Sequence, residues 1–369
     1  MAQANGVREV SWVDCAGGGQ IVVEKGLAYI GHMSAPNGTS IYDVRDPKNV
    51  KHLSTIEVPK GSHSHKVHAH NGIMVVNREQ AGKPADDWRG GFEIFDISDP
   101  SKPKSIHYWK TVGTGMHRFS FDGRYLYGSP TFEGYVGNVM GIFDLKNPAK
   151  PELVGRWHMP GQHTAGGETP SWKGTEHRCH HPLRFGDRLY TSYWQGGFVI
   201  LDISDMSKPK LVSGLDWSPP YPCPTHSAVP VPFEIAGRKV LLVADEDVNH
   251  AFAGPPACLW VVDITMEDRP VPIASFQVEE VDDSPHPKHV GCHQPIEKIT
   301  GTQFPAAWFS NGMRIIDVAR PRAPKEVARF IPDPPPGTDH CLSNDVFVDD
   351  RGLIFLLDRI RGFHILERL

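Results

Sequence analysis

The sequence has no apolar run long enough to cross a membrane and no excess of positive charge. A membrane-spanning helix needs about 20 predominantly apolar residues, and no stretch of the 369 residues approaches that length. The formal net charge is −5 at pH 7, so the chain lacks the basic surface that nucleic-acid binding requires. We expect neither a membrane nor a nucleic acid among its partners, and no pattern in the sequence predicts an oligomeric state.

Motifs for nucleotide cofactors are also absent. The chain has no Walker loop, no dinucleotide fingerprint and no Gly-x-Ser-x-Gly elbow, so we expect no nucleotide cofactor. Cysteine is scarce, with six residues and no Cys-x-x-Cys pair. The N-terminal segment lacks an apolar signal core. We therefore expect reduced thiols and a cytoplasmic protein.

What the sequence does contain is a repeated segment. GGFEIFDISDPSKPK, which ends at Lys104, returns as GGFVILDISDMSKPK ending at Lys210 and as MGIFDLKNPAKPE ending at Glu152. Short apolar runs separated by the turns that 36 glycines and 33 prolines favour predict a β-propeller. The aspartates that follow the apolar runs recur at intervals of roughly fifty residues, at Asp43, Asp96, Asp144, Asp202, Asp263 and Asp317.

Each repeat predicts four strands, except the last. The segment from Leu342 to Leu369 has only three predicted strands, and the N-terminal segment from Gly6 to Gly17 resembles the missing fourth strand. We therefore predict an all-β fold, a seven-bladed β-propeller with its last blade closed by the N-terminal strand. The prediction treats residues 1–369 as a single domain. Closure of this kind removes sheet edges that would otherwise lack a partner.

Twenty histidines are the unusual feature of the composition. Five of them recur near the start of the first strand of successive repeats, and first strands line the central channel of a propeller. Neutral imidazole is the commonest metal-ligating side chain, and imidazoles packed together without a ligand are costly to bury. We predict one transition metal ion, with iron preferred over copper, zinc or manganese; the alternative is a polar channel without metal. The predicted ligands are His65, His117, His181, His226 and His293, with His180 as the alternative to His181.

Carboxylates and aromatic side chains near these histidines complete the predicted site. Carboxylates can orient imidazole ligands or move protons, and the candidate catalytic carboxylates are Glu176, Glu297 and Asp345. Aromatic side chains with a few arginines suit a small organic substrate. The residues predicted to bind it are Trp88, Arg89, Trp194, Trp308, Phe309 and Arg359. For Trp194 and Trp308, packing between neighbouring blades is an equally reasonable interpretation.

At GGFEIFDISDPSKPK the chain resembles the LVIVD-repeat family, whose repeats form β-propellers, and the resemblance extends over essentially the whole length. GSHSHKV, HRCHHP, PTHSAV, GCHQP and LSNDVFVDDRGLIFLLDR also look like segments of that family. The architecture is similar to that of the selenium-binding-protein/methanethiol oxidase group and of the carotenoid-cleavage oxygenases. The oxygenases hold iron through four histidines from different blades. No motif of these two groups transfers residue by residue, so the similarity is architectural.

Together these observations predict a metal-dependent enzyme. The first hypothesis is a non-haem iron or copper dioxygenase or oxidase that acts on a small aromatic or unsaturated substrate, because no flavin or nicotinamide motif would supply electrons. A metal-dependent hydrolase or lyase that uses the same histidines is the alternative. A non-catalytic binding scaffold is the second alternative, and it predicts no turnover.

Overall fold

The computed structural model describes residues 2–83, 86, 88–172, 177–218, 220–248, 256–281 and 289–369. Within these ranges the regular structure consists of thirty β-strands and two 3-10 helices, at Thr164–Gly166 and Glu279–Val281, with no α-helix. No helix in these ranges is long and apolar enough to span a membrane.

The first strands belong to the N-terminal segment and to blades one to three. The N-terminal strands are β1 (Gln3–Asn5) and β2 (Val7–Val13). Blade one contains β3 (Gly18–Glu24), β4 (Leu27–His32), β5 (Asn37–Asp43) and β6 (Lys51–Glu57). Blade two contains β7 (Ser62–His63), β8 (Val67–His70), β9 (Ile73–Gln80), β10 (Gly91–Asp96) and β11 (Lys104–Lys110). Blade three contains β12 (Met116–Phe121), β13 (Tyr125–Pro130), β14 (Met140–Asp144) and β15 (Glu152–Trp157).

The remaining strands form blades four to seven. Blade four contains β16 (Arg178–Phe185), β17 (Arg188–Trp194), β18 (Gly197–Asp202) and β19 (Lys210–Leu215). Blade five contains β20 (Thr225–Pro230), β21 (Val240–Asp245), β22 (Leu259–Asp263) and β23 (Val271–Phe276). Blade six contains β24 (Gln294–Pro295), β25 (Gln303–Ala307), β26 (Met313–Asp317) and β27 (Lys325–Ile331). Blade seven contains β28 (Ser343–Val348), β29 (Ile354–Asp358) and β30 (Gly362–Arg368).

The strands of each blade form one sheet, which gives seven sheets, and consecutive strands are neighbours except in blade two, where β7 and β8 both pair with β9. The N-terminal strand β2 lies antiparallel to β30, with Val7 opposite Arg368 and Val13 opposite Phe363, so it is the fourth strand of blade seven. The prediction of an all-β, seven-bladed propeller is therefore confirmed, together with its N-terminal strand. The short strand β1 was not predicted; it adds a fifth strand to blade six beside β27.

The repeated aspartates have one structural role. In all six repeats the side chain of the aspartate accepts a hydrogen bond from the backbone N–H two residues later, at 2.8 to 3.1 Å. Such a bond mimics a backbone turn and starts the connection to the next strand. The aspartate recurs in the sequence because each blade repeats the same turn between its third and fourth strands.

The chain divides into two compact units, one formed by residues 18–189 and 202–210, the other by residues 1–17, 190–201 and 211–369. Apolar cores lie between adjacent sheets within each unit. In the first unit Val75 and Phe92 of blade two pack with Phe119 and Phe143 of blade three. In the second unit Phe198 of blade four packs with Leu241 and Val262 of blade five. That the whole chain folds as a single domain stays a prediction.

Candidate metal centre

β-Bulges at the start of first strands present the residues of the candidate site. In blade three the register between β12 and β13 shifts between Met116 and Phe119, which leaves one extra residue at His117 and Arg118. The register of blade five shifts in the same way at His226, and that of blade seven at Asn344. A bulge breaks the regular pairing and re-aims a side chain. His117, His226 and Asn344 therefore occupy equivalent positions in their own sheets.

In the first unit several imidazoles lie against one another. His117 Nε2 lies 2.9 Å from His180 Nε2, and the ring centroids of His117 and His65 are 4.9 Å apart. The ring of His63 packs edge-on against that of His65 at 3.8 Å. We call His63, His65, His117 and His180, together with Glu79, the His117 cluster.

Glu79 is the carboxylate of this cluster, and the sequence patterns did not identify it. Its Oε2 lies 2.7 Å from His117 Nδ1, and the side chain is buried. The backbone explains the contact, because Glu79 of β9 is paired with His63 of β7 and forms an isolated bridge with Gly115, two residues before His117. With an ionised carboxylate, His117 Nδ1 is the donor, and Nε2 of the neutral ring then carries a lone pair.

The histidine that reaches His117 is His180. Successive side chains of a strand point to opposite faces of the sheet, so His180 and His181 of β16 cannot both face His117. His181 is fully buried, and its pKa lies well below the ordinary value, chiefly because of burial and then because of the charge of Arg118. Of the two alternatives for blade four, the structure thus brings His180 into the His117 cluster.

The cluster favours neutral imidazoles. Burial is the main reason that the pKa of His65 lies well below its ordinary value, and the neighbouring His63 and Lys66 add to the effect. Asn77 accepts a hydrogen bond from the backbone N–H of Lys66 through Oδ1, so its Nδ2 is the atom that lies 3.3 Å from His65 Nδ1. Asn77 Nδ2 also donates to the carbonyl oxygens of Met116 and His117, both at 3.0 Å, so this side chain ties the His65 segment to the start of β12.

The second unit has its own histidine pair. The rings of His226 and His293 are 4.2 Å apart, and His293 Nε2 lies 3.3 Å from Glu246 Oε1. His293 Nδ1 donates to the carbonyl oxygen of Asn344, which leaves the lone pair of the neutral ring on Nε2. All three side chains are buried. We call His226, His293 and Glu246 the His293 cluster, and Glu246, like Glu79, was not predicted.

Two of the predicted substrate-binding residues lie beside the His293 cluster. The ring of Phe309 is 4.5 Å from that of His293, and the guanidinium of Arg359 lies 5.3 Å from the centre of the Phe309 ring. Arg359 Nε also donates to Asn344 Oδ1 at 2.5 Å. These contacts place an aromatic ring and a cation next to the imidazoles.

Other predicted residues have packing contacts. Trp308 is fully buried, its indole N–H donates to Gln277 Oε1 at 2.8 Å, and its ring meets Phe276 edge-on. Trp308 thus packs between blades five and six. Asp345 is buried and accepts a hydrogen bond from Gln294 Nε2 at 2.6 Å.

The remaining predicted residues are spread over both units. Trp88 is half-buried and donates to Ser62 Oγ, next to His63. Arg89 is exposed and donates to the carbonyl oxygen of Trp88. Trp194 ends β17 and Glu297 follows β24, both half-buried. Glu176 lies outside the described residues.

Comparisons with known proteins agree with the fold. The model of the LVIVD repeat matches residues 85–111 and 185–216, the two segments that contain the clearest copies of the repeat. The chain is therefore a β-propeller, and in this chain buried histidines cluster at the start of several first strands. More closely, it is an LVIVD-repeat β-propeller.

Solved structures resemble the chain in fold alone. Sqt1 of Saccharomyces cerevisiae is 9% identical, with full coverage of both chains and a TM-score of 0.61. The Cps50 (Swd1) β-propeller domain of Myceliophteria thermophila is 11% identical, covers 98% of this chain and 100% of its own, and gives a TM-score of 0.62. The periplasmic gluconolactonase PpgL of Pseudomonas aeruginosa is 13% identical, with 90% and 88% coverage and a TM-score of 0.60. No curated protein matches the sequence.

Proposed function

We propose that this protein is a metal-dependent enzyme whose transition metal ion is held by the His117 cluster. The observation that carries the proposal is the 2.9 Å separation between His117 Nε2 and His180 Nε2. Two nitrogens bound about 2.1 Å from one ion, at a right angle, lie about 3 Å apart. His117 and His180 would be two of the ligands, and one of the adjacent rings of His65 and His63 would be the third. The predicted five-histidine set draws on both units and stays a prediction.

The residues around the ligands support this assignment. A carboxylate on the distal nitrogen of a histidine fixes the tautomer and the orientation of the ring, and Glu79 has that position on His117. Nitrogen donors suit iron, copper and zinc, and we keep iron as the first choice. Such an ion, with positions left open, would supply a place for dioxygen or for polarising a substrate. The protein contributes the orientation of the rings and a water-poor setting, since His65 and His180 are almost fully buried.

The reaction we favour is the oxidation of a small aromatic or unsaturated substrate by dioxygen. The sequence has no flavin or nicotinamide motif, so the electrons would come from the substrate, as in a dioxygenase or an oxidase. Trp88 supports an organic substrate at this cluster, because its half-buried indole is anchored on Ser62 beside His63.

A metal-dependent hydrolase or lyase is the second candidate, and Glu79 is the observation that favours it. Its carboxylate provides an oxygen within 4.8 Å of ligand nitrogens of His63 and His65. A buried carboxylate beside a metal ion can accept a proton from water or from substrate. Glu79 would be the general base of such a reaction, and it is not among the carboxylates predicted from the sequence.

Metal analysis tests the first part of the proposal. Elemental analysis of protein purified without an affinity tag should find iron or copper near one equivalent. His117→Ala and His180→Ala should lose the ion, while Glu79→Gln should weaken its binding about 10- to 100-fold. His52→Ala is the matched control, since His52 is exposed on the outer strand β6 and its ring contacts Thr55 and Tyr42. Unchanged metal content in folded His117→Ala and His180→Ala proteins would refute the assignment.

Oxygen uptake separates the two reactions. The loaded protein should consume dioxygen with at least one member of a panel of phenolic, alkenyl and thiol substrates. Turnover that continues under strict anaerobiosis with zinc or manganese bound would instead establish the hydrolase or lyase. Metal binding without turnover of ester, lactone or oxidisable substrates would favour the scaffold.

A further inference from the structure

A second group of metal-ligating side chains lies outside the His117 cluster, in the connection that follows β15. His158, His163 and Glu168 each offer one ligand atom, and these atoms lie within 4.8 Å of one another. His158 Nε2 is 3.2 Å from Glu168 Oε1. The side chains of His158 and Glu168 are 26% and 36% exposed, so an ion can reach them from solvent.

The backbone holds the Glu168 carboxylate in place. Its Oε2 accepts hydrogen bonds from the N–H groups of Gly161, at 2.7 Å, and His163, at 3.1 Å. These two bonds leave the other oxygen, Oε1, directed at His158. A ligating carboxylate is commonly fixed in this way through its second oxygen.

Tyr135 orients both imidazoles. Its ring stacks on that of His163 at 4.4 Å with an interplanar angle of 11°, and it meets the ring of His158 edge-on at 5.1 Å. The loop of Tyr135 is tied to the connection by hydrogen bonds from Ala165 N to Gly134 O and from Val136 N to Gln162 O. Among the described residues, neither ring nitrogen of His163 has a hydrogen-bond partner, so a ring fixed by stacking keeps its nitrogens available.

We propose that His158, His163 and Glu168 form a second metal site, for a divalent transition ion with Zn²⁺ as its preferred occupant. Two imidazoles and one carboxylate are a common zinc donor set, and the 3.2 Å between His158 Nε2 and Glu168 Oε1 matches two ligands at about 2.1 Å from one ion. The ion would tie His163 and Glu168 to His158, the residue that directly follows β15. This site is independent of the His117 cluster and of the reaction proposed for it.

Zinc titration of chelator-treated protein tests this second site. The wild-type protein should bind one equivalent of Zn²⁺ more than His163→Ala, measured by isothermal titration calorimetry and by elemental analysis after dialysis. Glu168→Gln should bind that equivalent at least ten-fold more weakly. Gly166→Ala should have a similar effect, because a Cβ at Gly166 would stand 2.5 Å from His163 Nδ1 and displace the ring.

Three controls keep the outcome specific. Gly301→Ala adds a Cβ that meets nothing within 4 Å, and His52→Ala removes a histidine of another sheet; both should bind Zn²⁺ as the wild type does. His117→Ala should retain the equivalent that His163→Ala loses, whether or not the His117 cluster binds metal. Equal zinc stoichiometry and affinity in wild type, His163→Ala and Glu168→Gln would overturn the second site, as would wild-type binding only at millimolar Zn²⁺.

Discussion

Two neighbouring histidines of β16 show how strongly a single position determines the chemistry open to a side chain. His180 Nε2 lies 2.9 Å from His117 Nε2. His181 instead lies close to His68 and to the guanidinium of Arg118. The side chains of these two consecutive residues leave opposite faces of β16. His180 is therefore the residue whose replacement should affect metal binding through direct contact.

Glu79 is a second residue whose position determines its chemistry. Its pKa is raised above the ordinary value, and burial is the main cause. In its ionised form the carboxylate accepts a hydrogen bond from His117 Nδ1. Replacement by glutamine preserves the size of the side chain but removes its charge, so Glu79→Gln probes orientation of the imidazole and not packing.

Trp308 gives a prediction about stability. The side chain is fully buried, with its N–H bonded to Gln277, so Trp308→Ala should lower the free energy of unfolding by about 3–5 kcal/mol through the cavity and the unpaired amide. Leu211→Ala is the matched control, because Leu211 is 53% exposed, and it should change the stability by less than about 0.5 kcal/mol. Denaturant unfolding measures both values. A Trp308→Ala protein as stable as Leu211→Ala would show that the indole is not a packing residue.

At the scale of elements, the bulges of the first strands matter most. The extra residue at His117, His226 or Asn344 is inserted at the start of the strand, where a regular pair would turn the side chain to the other face. A one-residue bulge thus sets the direction of the side chain in blades three, five and seven. The spacing between first and second strands differs for another reason, because the connection is short between Phe121 and Tyr125 in blade three and longer between Pro230 and Val240 in blade five.

A glycine at the start of the third strand also recurs, and it shows how β2 fits its blade. At Gly197 of blade four, a Cβ would stand 1.9 Å from the carbonyl oxygen of Leu215 in the fourth strand. At Gly362 of blade seven it would stand 2.2 Å from the carbonyl oxygen of Val13 in β2. The N-terminal strand therefore makes the close approach that the fourth strand makes in another blade.

Deletion of residues 1–17 tests this element. Loss of β2 exposes the edge of β30 along its whole pairing with β2, and we expect a fall of the melting temperature by about 10 °C or more, together with aggregation through the open edge. Deletion of residues 1–5 is the control, since it removes only the exposed strand β1 from the edge of blade six. It should shift the melting temperature by only a few degrees. A long deletion that melts like the short one would contradict the role of β2 in closure.

At the scale of the whole molecule, Asp245 makes the stability depend on pH. The side chain is buried and accepts hydrogen bonds from Trp260 Nε1 at 2.6 Å, Thr225 Oγ1 and Trp217 Nε1. Burial outweighs these donors and raises the pKa of Asp245 to about 7, from an ordinary value of 3.8. The folded state therefore holds a proton between these two pH values that the unfolded chain releases.

The direction of the pH effect follows from this difference. The contribution of Asp245 is fully present below about pH 4 and is lost as the pH rises toward 7, so the free energy of unfolding should fall by up to about 4 kcal/mol over that window. Asp245→Asn should lack this pH-dependent part of the free energy of unfolding. Above pH 7 its free energy of unfolding should differ from that of the wild type by a constant amount. Urea unfolding between pH 4 and 8 measures it. Parallel curves for the two proteins would mean that Asp245 is already ionised throughout the range.

Much of the fold could be predicted from the sequence because its signals are local. The apolar runs, the turn glycines and the aspartates such as Asp96 and Asp202 act over a few residues, and each repeat encodes the same strands and the same turn. The incomplete last repeat predicted the role of β2, because a missing strand must be supplied by another part of the chain.

The sequence by itself thus determined the fold class, the number of blades and the presence of histidines at the start of several first strands. Only the tertiary structure decided which side chains meet. His117 contacts Glu79 across 38 residues and His180 across 63, and these contacts depend on strand register and on bulges that shift a side chain from one face to the other. His158, His163 and Glu168 are close in sequence, but their ligand atoms converge because a loop around Tyr135 packs on them. Contacts of this kind depend on pairing between separate segments, which short patterns in the sequence do not encode.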